Sequence, residues 1–114
     1  TGGGNVAIGR KALAVQNFNG LAYNIAIGYE AGAAITTGFH NTLIGGAAGD
    51  ALTSGDNNTV LGYNAMGAAN GSESRNVAIG SNALAAMDSD TSNYNVAVGY
   101  DAGVNVTTGV QNTI

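Results

Sequence analysis

Asn5-Val-Ala-Ile-Gly9 is the phrase on which the chain turns, because it is rewritten along the whole length. It returns as Asn24-Ile-Ala-Ile-Gly28, Asn41-Thr-Leu-Ile-Gly45, Asn58-Thr-Val-Leu-Gly62, Asn76-Val-Ala-Ile-Gly80 and Asn95-Val-Ala-Val-Gly99, and a seventh copy starts at Asn112-Thr-Ile114. Successive asparagines stand 19, 17, 17, 18, 19 and 17 residues apart. Self-similarity at a short fixed period is the mark of a solenoid or an array, so the repeat is read before any other motif.

Inside the phrase the residues alternate. Val6, Ile25, Thr42, Thr59, Val77 and Val96 share a face with Ile8, Ile27, Ile44, Leu61, Ile79 and Val98, while Ala7, Ala26, Leu43, Val60, Ala78 and Ala97 point the other way. Period-two alternation of β-branched residues closed by glycine reads as a short strand. Both faces are apolar, which predicts a strand buried on both sides. Three positions after each glycine stands an alanine (Ala12, Ala31, Ala48, Ala65, Ala83, Ala102), and a methyl-sized residue fixed at one phase implies a contact that a larger side chain would overpack.

The second half of the repeat has two versions. Where the alanine is followed by Gly32, Gly49 or Gly103, a 17-residue repeat closes through Thr36-Thr-Gly38, Thr53-Ser-Gly55 or Thr107-Thr-Gly109. Where it is followed by Leu13, Met66 or Leu84, the repeat runs to 18 or 19 residues. Glycine frees the backbone for a tight turn, so a compact corner is expected in the first version. A bulging loop is expected in the second, at residues 16–20, 70–75 and 88–93. Lys11–Ala14 and Ala83–Met87 favour helix by propensity, but each run is about one turn long and too short to nucleate alone. Residues 5–43 laid on 76–114 agree at 20 of 39 positions, which points to a duplicated block of four repeats.

One strand, one corner and a second short segment per repeat make one coil of a parallel β-solenoid. The fold class is therefore all-β, a single array over residues 1–114 with one coil per 17–19 residues. Coils begin near residues 5, 24, 41, 58, 76, 95 and 112. At about 4.8 Å per coil, seven registers span roughly 30 Å. Like residues then lie over like residues, and Asn5, Asn24, Asn41, Asn58, Asn76, Asn95 and Asn112 are expected to form a ladder in which each side-chain amide donates to the next. This satisfies polar groups that are costly to bury unpaired. A core lined by so much alanine and glycine is thin, and association of several copies about a cyclic axis would cover the second apolar face. The expected assembly is a parallel homotrimer. Thr1-Gly-Gly-Gly-Asn5 has the layout of the later Thr-x-x-x-Asn corners, and no polar cap stands at either end; capping is normal in solenoids, so an excerpt of a longer array is expected.

Composition narrows the function. Charged residues are 9% of the chain, against the roughly 25% usual in globular domains. Proline is absent and net charge is −4, with Arg10, Lys11 and Arg75 as the only cations. A nucleic-acid surface needs clustered Lys and Arg, so nucleic acid is not an expected partner. With no cysteine there is no disulfide framework and no thiolate metal site. No apolar run reaches the length of a membrane span, so no membrane insertion is expected.

The phrase also carries a resemblance. Asn-Val-Ala-Ile-Gly followed by a small residue is similar to the head repeat of trimeric autotransporter adhesins. Ile27-Gly-Tyr-Glu-Ala-Gly32 and Val98-Gly-Tyr-Asp-Ala-Gly103 resemble the Asn-Thr-x-Ile-Gly-Tyr-x-Ala-Gly arrays of bacteriophage tail fibres and related surface proteins. The resemblance implies a trimeric, left-handed parallel β-roll or β-helix on a fibre, in a virion or at a cell surface. It names no receptor-site residue, and adhesin heads have shorter coils.

Recognition, if this segment performs it, belongs to the parts that do not repeat. Asn17, Phe18, Asn19, Glu73, Arg75, Asp88, Asp90 and Tyr94 are the candidate residues for a cell-surface glycan or protein receptor. Other enzymatic and ligand readings fit the sequence less well. His40, the only histidine, occupies a column of assorted polar residues, which fits an exposed position better than a catalytic one. Asp88-Ser-Asp-Thr-Ser92 begins like a calcium loop but lacks its later glycine and glutamate; a solvated loop is expected, and no cofactor. A hexapeptide acyltransferase would need every six-residue unit of the coil to match, and only Ile8-Gly-Arg-Lys-Ala12 does. An ice-binding face would need unbroken threonine columns, whereas Thr42, Thr59 and Thr113 share a phase with valine and isoleucine. Asn57-Asn-Thr59, Asn70-Gly-Ser72 and Asn105-Val-Thr107 match the glycosylation pattern as often as chance allows in such a composition. The expectation is a non-enzymatic structural fibre segment, with an adhesive head as its alternative.

Overall fold

A computed structural model describes residues 3–114; the reading of Thr1 and Gly2 as part of an earlier corner lies outside them. Six three-residue strands follow one another: β1 (Val6–Ile8), β2 (Ile25–Ile27), β3 (Thr42–Ile44), β4 (Thr59–Leu61), β5 (Val77–Ile79) and β6 (Val96–Val98). They form one parallel sheet in the order β1-β2-β3-β4-β5-β6. Pairing is in the register of the repeat, Val6 against Ile25, Ile25 against Thr42, and so on to Val77 against Val96. Val96 is bridged in turn by Thr113 of the seventh copy. The chain is an all-β parallel solenoid of about five turns, 34 × 24 × 16 Å overall. Among the described residues there is no helix, so the alanine-rich runs are turns in both coil versions.

The interior is one residue wide along the strands. Ala26, Leu43, Val60, Ala78 and Ala97 are fully buried, as are Ala31, Ala48, Ala65 and Ala83 of the alanine column. Ile35, Leu52, Ala69 and Met87 close the core from the corner. The expected burial of both strand faces does not hold in the single chain. Ile8, Leu61 and Val98 are 58%, 46% and 57% exposed, Val6 is exposed, and Thr42, Ile44, Val77 and Ile79 are half-buried. The reason is geometric: a coil this thin encloses only the residue pointing inward, and its outer neighbours meet solvent.

Two backbone features hold the stack. The closing glycine of each phrase lies directly under the next one: a Cβ on Gly28, Gly45 or Gly62 would sit 2.5, 2.6 or 2.4 Å from the carbonyl oxygen of the next such glycine, at φ between +133° and +145°. No other residue fits there. Left-handed backbone at other residues falls into columns. One is Tyr23, His40, Asn57, Arg75, Tyr94 and Gln111, just before the asparagines; another is Lys11, Glu30, Ala47, Asn64, Asn82 and Asp101. A third contains Leu13, Met66 and Leu84 together with Gly32, Gly49 and Gly103. Glycine in the third column therefore does not select the compact corner, since leucine and methionine take the same conformation. It makes room instead: a Cβ on Gly32 would lie 2.7 Å from Leu43 and 3.2 Å from Leu13, and one on Gly103 would lie 2.8 Å from Leu84. At Gly32 and Gly103 the space of the missing side chain is taken by a large one from a neighbouring coil, and at Gly49 by Leu43 of its own coil.

Candidate functional site

The asparagine column is buried from Asn24 to Asn95 and bonded rung by rung. Each Oδ1 accepts the backbone N–H of the next asparagine, at 2.8 Å from Asn24 to Asn5 and from Asn41 to Asn24, and at 2.9 to 3.0 Å further along. The amide nitrogens mostly cross the coil. Asn24 Nδ2 donates to the Gly38 carbonyl, Asn41 Nδ2 to Gly55, Asn58 Nδ2 to Glu73 and Asn95 Nδ2 to Gly109, at 2.7 to 2.8 Å. Side-chain amide to side-chain amide donation occurs from Asn58 to Asn41, Asn76 to Asn58 and Asn112 to Asn95. The expected amide-to-amide chain is thus only part of the arrangement. The larger part ties strand start to corner and coil to coil through the main chain.

A second ladder went unread in the sequence. Asn64 Nδ2 donates to Asn82 Oδ1 at 3.1 Å, and Asn82 Nδ2 to Asp101 Oδ1 at 2.9 Å. One column unit away, Lys11 Nζ meets Glu30 Oε1 at 3.0 Å. The hydrogen bond from Lys11, with that from Tyr29, holds the Glu30 carboxyl below its ordinary range. Ala47 interrupts the column. Asp50 stands nearby on a shallow open groove lined by Lys11, Ala14, Val15, Glu30, Ala33 and Ala34. Desolvation pushes its carboxyl up, and Oδ1 is buried with no hydrogen-bond partner among the described residues. The signal for this ladder was a column of polar residues two positions after each closing glycine, Lys11, Glu30, Asn64, Asn82 and Asp101, broken only by Ala47.

The eight candidate recognition residues do not form one site. Asn17 and Asn19 are exposed and Phe18 is half-buried. Asn17 N donates to the Thr36 carbonyl, which ties this loop to the next coil. Phe18 packs on Phe39 with ring centroids 5.9 Å apart, Phe39 meets His40 edge-on at 5.0 Å, and His40 stacks on Tyr23 at 5.7 Å. His40 is thereby placed in a ring stack on the surface. Two compact corners, Thr36–Gly38 and Thr53–Gly55, separate this patch from the other two loops.

Those two loops lie against each other. Arg75 Nη1 donates to Ser92 Oγ at 2.7 Å, and its guanidinium lies 5.6 Å from the Tyr94 ring centre, a cation–π distance. Glu73 is not a surface residue. It is fully buried, and its carboxylate accepts the backbone N–H groups of Gly71, Ser89 and Asp90 at 2.9 to 3.0 Å. Oxygens of Glu73, Asp88 and Asp90 fall within 4.8 Å of one another. A calcium ion takes six to eight oxygens; here the buried carboxylate is already engaged by three donors, so its arrangement is that of a brace between loops. Asn93, also buried, accepts from Asn76 Nδ2 at 3.1 Å and joins this brace to the asparagine column. No helix among the described residues is long and apolar enough to cross a membrane. Compared with known proteins, the chain matches no family model, no curated protein and no solved structure.

Proposed function

We propose that this chain is a structural segment of an extended fibre, of the kind that holds an attachment surface away from a virion or a cell. In this reading it is not an enzyme, uses no cofactor, and works as a parallel homotrimer with a left-handed coil, as the resemblance of the repeat implies. The observation that carries the proposal is the exposed strand face. Six in-register rungs at about 4.8 Å make an apolar stripe roughly 24 Å long, lined by Val6, Ile8, Ile25, Leu61 and Val98 and flanked by Tyr29, Tyr63 and Tyr100. Exposed apolar patches of a few hundred Å² mark interaction surfaces. Arg10 is the only charged residue at the flanking position, so copies with a net charge of −4 can approach through this face without opposing carboxylates.

Sedimentation of the isolated chain tests the assembly. A trimer is expected, and Leu61→Asp should leave the circular dichroism of the coil unchanged while shifting the species to monomer. A folded wild-type monomer at high concentration would sink the homotrimer. The adhesive-head alternative has its own support in the Phe18–Phe39–His40–Tyr23 ring cluster on the non-repeating wall. A shaft should keep full attachment of the parent particle when Phe18→Ala and Tyr94→Ala are combined; loss of attachment with the fold intact would favour the head.

A further inference from the structure

Two Asn-Gly pairs occur in the chain, Asn19-Gly20 and Asn70-Gly71, and both lie in long coils. The structure treats them differently. We propose that Asn19 is a site of spontaneous deamidation, whereas Asn70 is protected by the buried Glu73 carboxylate; the proposal is independent of the fibre reading. The reaction needs the backbone nitrogen of the following glycine to lose its proton to solvent base. That nitrogen forms a bond to the asparagine Cγ, and the Cγ–Nδ2 bond breaks with release of ammonia. Water then opens the resulting cyclic imide to aspartate or isoaspartate. No electrons are transferred, and water is the only co-reactant.

At the first pair Asn19 and Gly20 are both exposed. The Gly20 N–H donates at 3.0 Å to the Phe18 carbonyl, a neutral acceptor within the same loop. At the second pair the Gly71 N–H points at Glu73 Oε2, 3.0 Å away. An anionic nitrogen beside a carboxylate is disfavoured by like charge, and burial of Glu73 strengthens that penalty. The peptide is also held from its other side. The Gly71 carbonyl accepts the N–H groups of Thr53, Ser54 and Gly55 at 3.0 to 3.3 Å, and the Asn70 carbonyl accepts Thr53 Oγ1 at 3.2 Å. Closing the imide ring needs rotation of the Asn70 backbone that these bonds oppose. The ladder asparagines are shielded by a third means, since each is followed by Val, Ile or Thr, whose branched Cβ crowds the attacking nitrogen.

The consequence falls on the Phe18 patch. Each event adds one negative charge beside the half-buried Phe18 ring, and the isoaspartyl product lengthens the main chain in a loop whose length already varies.

Peptide mapping by mass spectrometry after incubation of the whole chain at mildly alkaline pH tests this. The Asn19 peptide should convert several-fold faster than the Asn70 peptide, and the two rates should draw together in urea. Glu73→Gln, checked for retained fold by circular dichroism, should speed Asn70 without changing Asn19. If that variant unfolds, the native-against-urea comparison in the wild type still decides. Equal native rates would overturn the proposal. So would an unreacted Asn19 over a period in which the urea-unfolded chain is consumed.

Discussion

The strand wall and the corner wall of this solenoid are built under different constraints. On the strand wall every coil repeats the same five-residue pattern, Asn and Gly around an apolar or threonine-bearing strand, and each residue's neighbour is its own counterpart one coil away. On the corner wall the coil length changes from 17 to 19 residues, and each coil finds its own partners. Glu73 braces a loop of the following coil, Gln16 Nε2 reaches the Gly38 carbonyl at 3.3 Å, and Ser74 Oγ reaches Asp56 Oδ1 at 2.8 Å. Repetition lets one solution serve all rungs, while variation demands a separate polar solution for each loop. Substitutions on the two walls should therefore fail in different ways.

The largest effect is expected on the strand wall. Gly62→Ala places a methyl 2.4 Å from the Gly80 carbonyl oxygen, at φ +145°. Backbone strain and a collision with backbone that cannot rotate away combine. The loss should exceed about 4 kcal/mol, in the exceptional range for a single change, and a thermal melt should show it as unfolding or as a split transition. A small shift in the melt would mean that adjacent coils separate easily.

Asn58→Ala comes next. It orphans the buried N–H of Asn76 and leaves the Glu73 carbonyl without the Asn58 amide. At about 1–3 kcal/mol for each of the two unsatisfied groups, the expected loss is roughly 2–6 kcal/mol by urea denaturation. The adjacent Asn57→Ala is exposed and should lose about 1 kcal/mol, most of it the left-handed backbone at φ 59°. Equal losses at the two positions would remove the ladder's special standing.

On the corner wall, Glu73→Ala tests whether variation means freedom. Three backbone N–H groups lose their acceptor, but water can reach this loop region once the carboxylate is gone. A loss of about 1–3 kcal/mol is expected, with strand pairing intact by amide hydrogen exchange and faster exchange confined to residues 70–75 and 88–93. Loss of protection throughout would make the brace as global as the asparagine column. The same bonds bear on shortening the Asp88–Asn93 loop to a Thr-Thr-Gly corner: the exchange strands a buried carboxylate, so it must be paired with a change at Glu73.

What the sequence made legible follows the same division. Strand positions, register and the asparagine column are visible because the repeat samples each position six or seven times. The exposure of the outer strand face in a single chain is not legible in the alternation, because alternation reports side-chain character, and only the width of the coil decides whether Ile8 or Leu61 meets solvent. The left-handed columns were hidden for another reason. Tyr23, Arg75, Lys11 and Leu84 are residues whose own preference is against that conformation, and the stack overrides it. Glu73 was hidden because its donors, Ser89 and Asp90, come from the next coil's loop, at a distance set by that loop's variable length.

The smallest effect is expected at Asp50, where neither wall has supplied a solution. Its Oδ1 is buried with no hydrogen-bond partner among the described residues, and desolvation, with the Glu30 charge adding to it, raises its carboxyl above the ordinary value near 3.8. A raised folded-state value means that the native chain holds the proton more tightly than the unfolded chain. Stability from this group is therefore fully present below the unfolded value and is lost as pH rises through the folded one. Asp50→Asn removes that loss. It should raise the melting temperature slightly at neutral pH, with the gain shrinking toward zero below the unfolded value. Glu30 has the opposite sign: its depressed value gives stability that is present above the ordinary carboxylate range and lost as pH falls through the folded value. Melting Asp50→Asn and Glu30→Gln in parallel from acid to neutral pH should give differences from wild type of opposite sign that both grow with pH. If the two differences share a sign, the groove around Lys11 is not organised by the burial of Asp50.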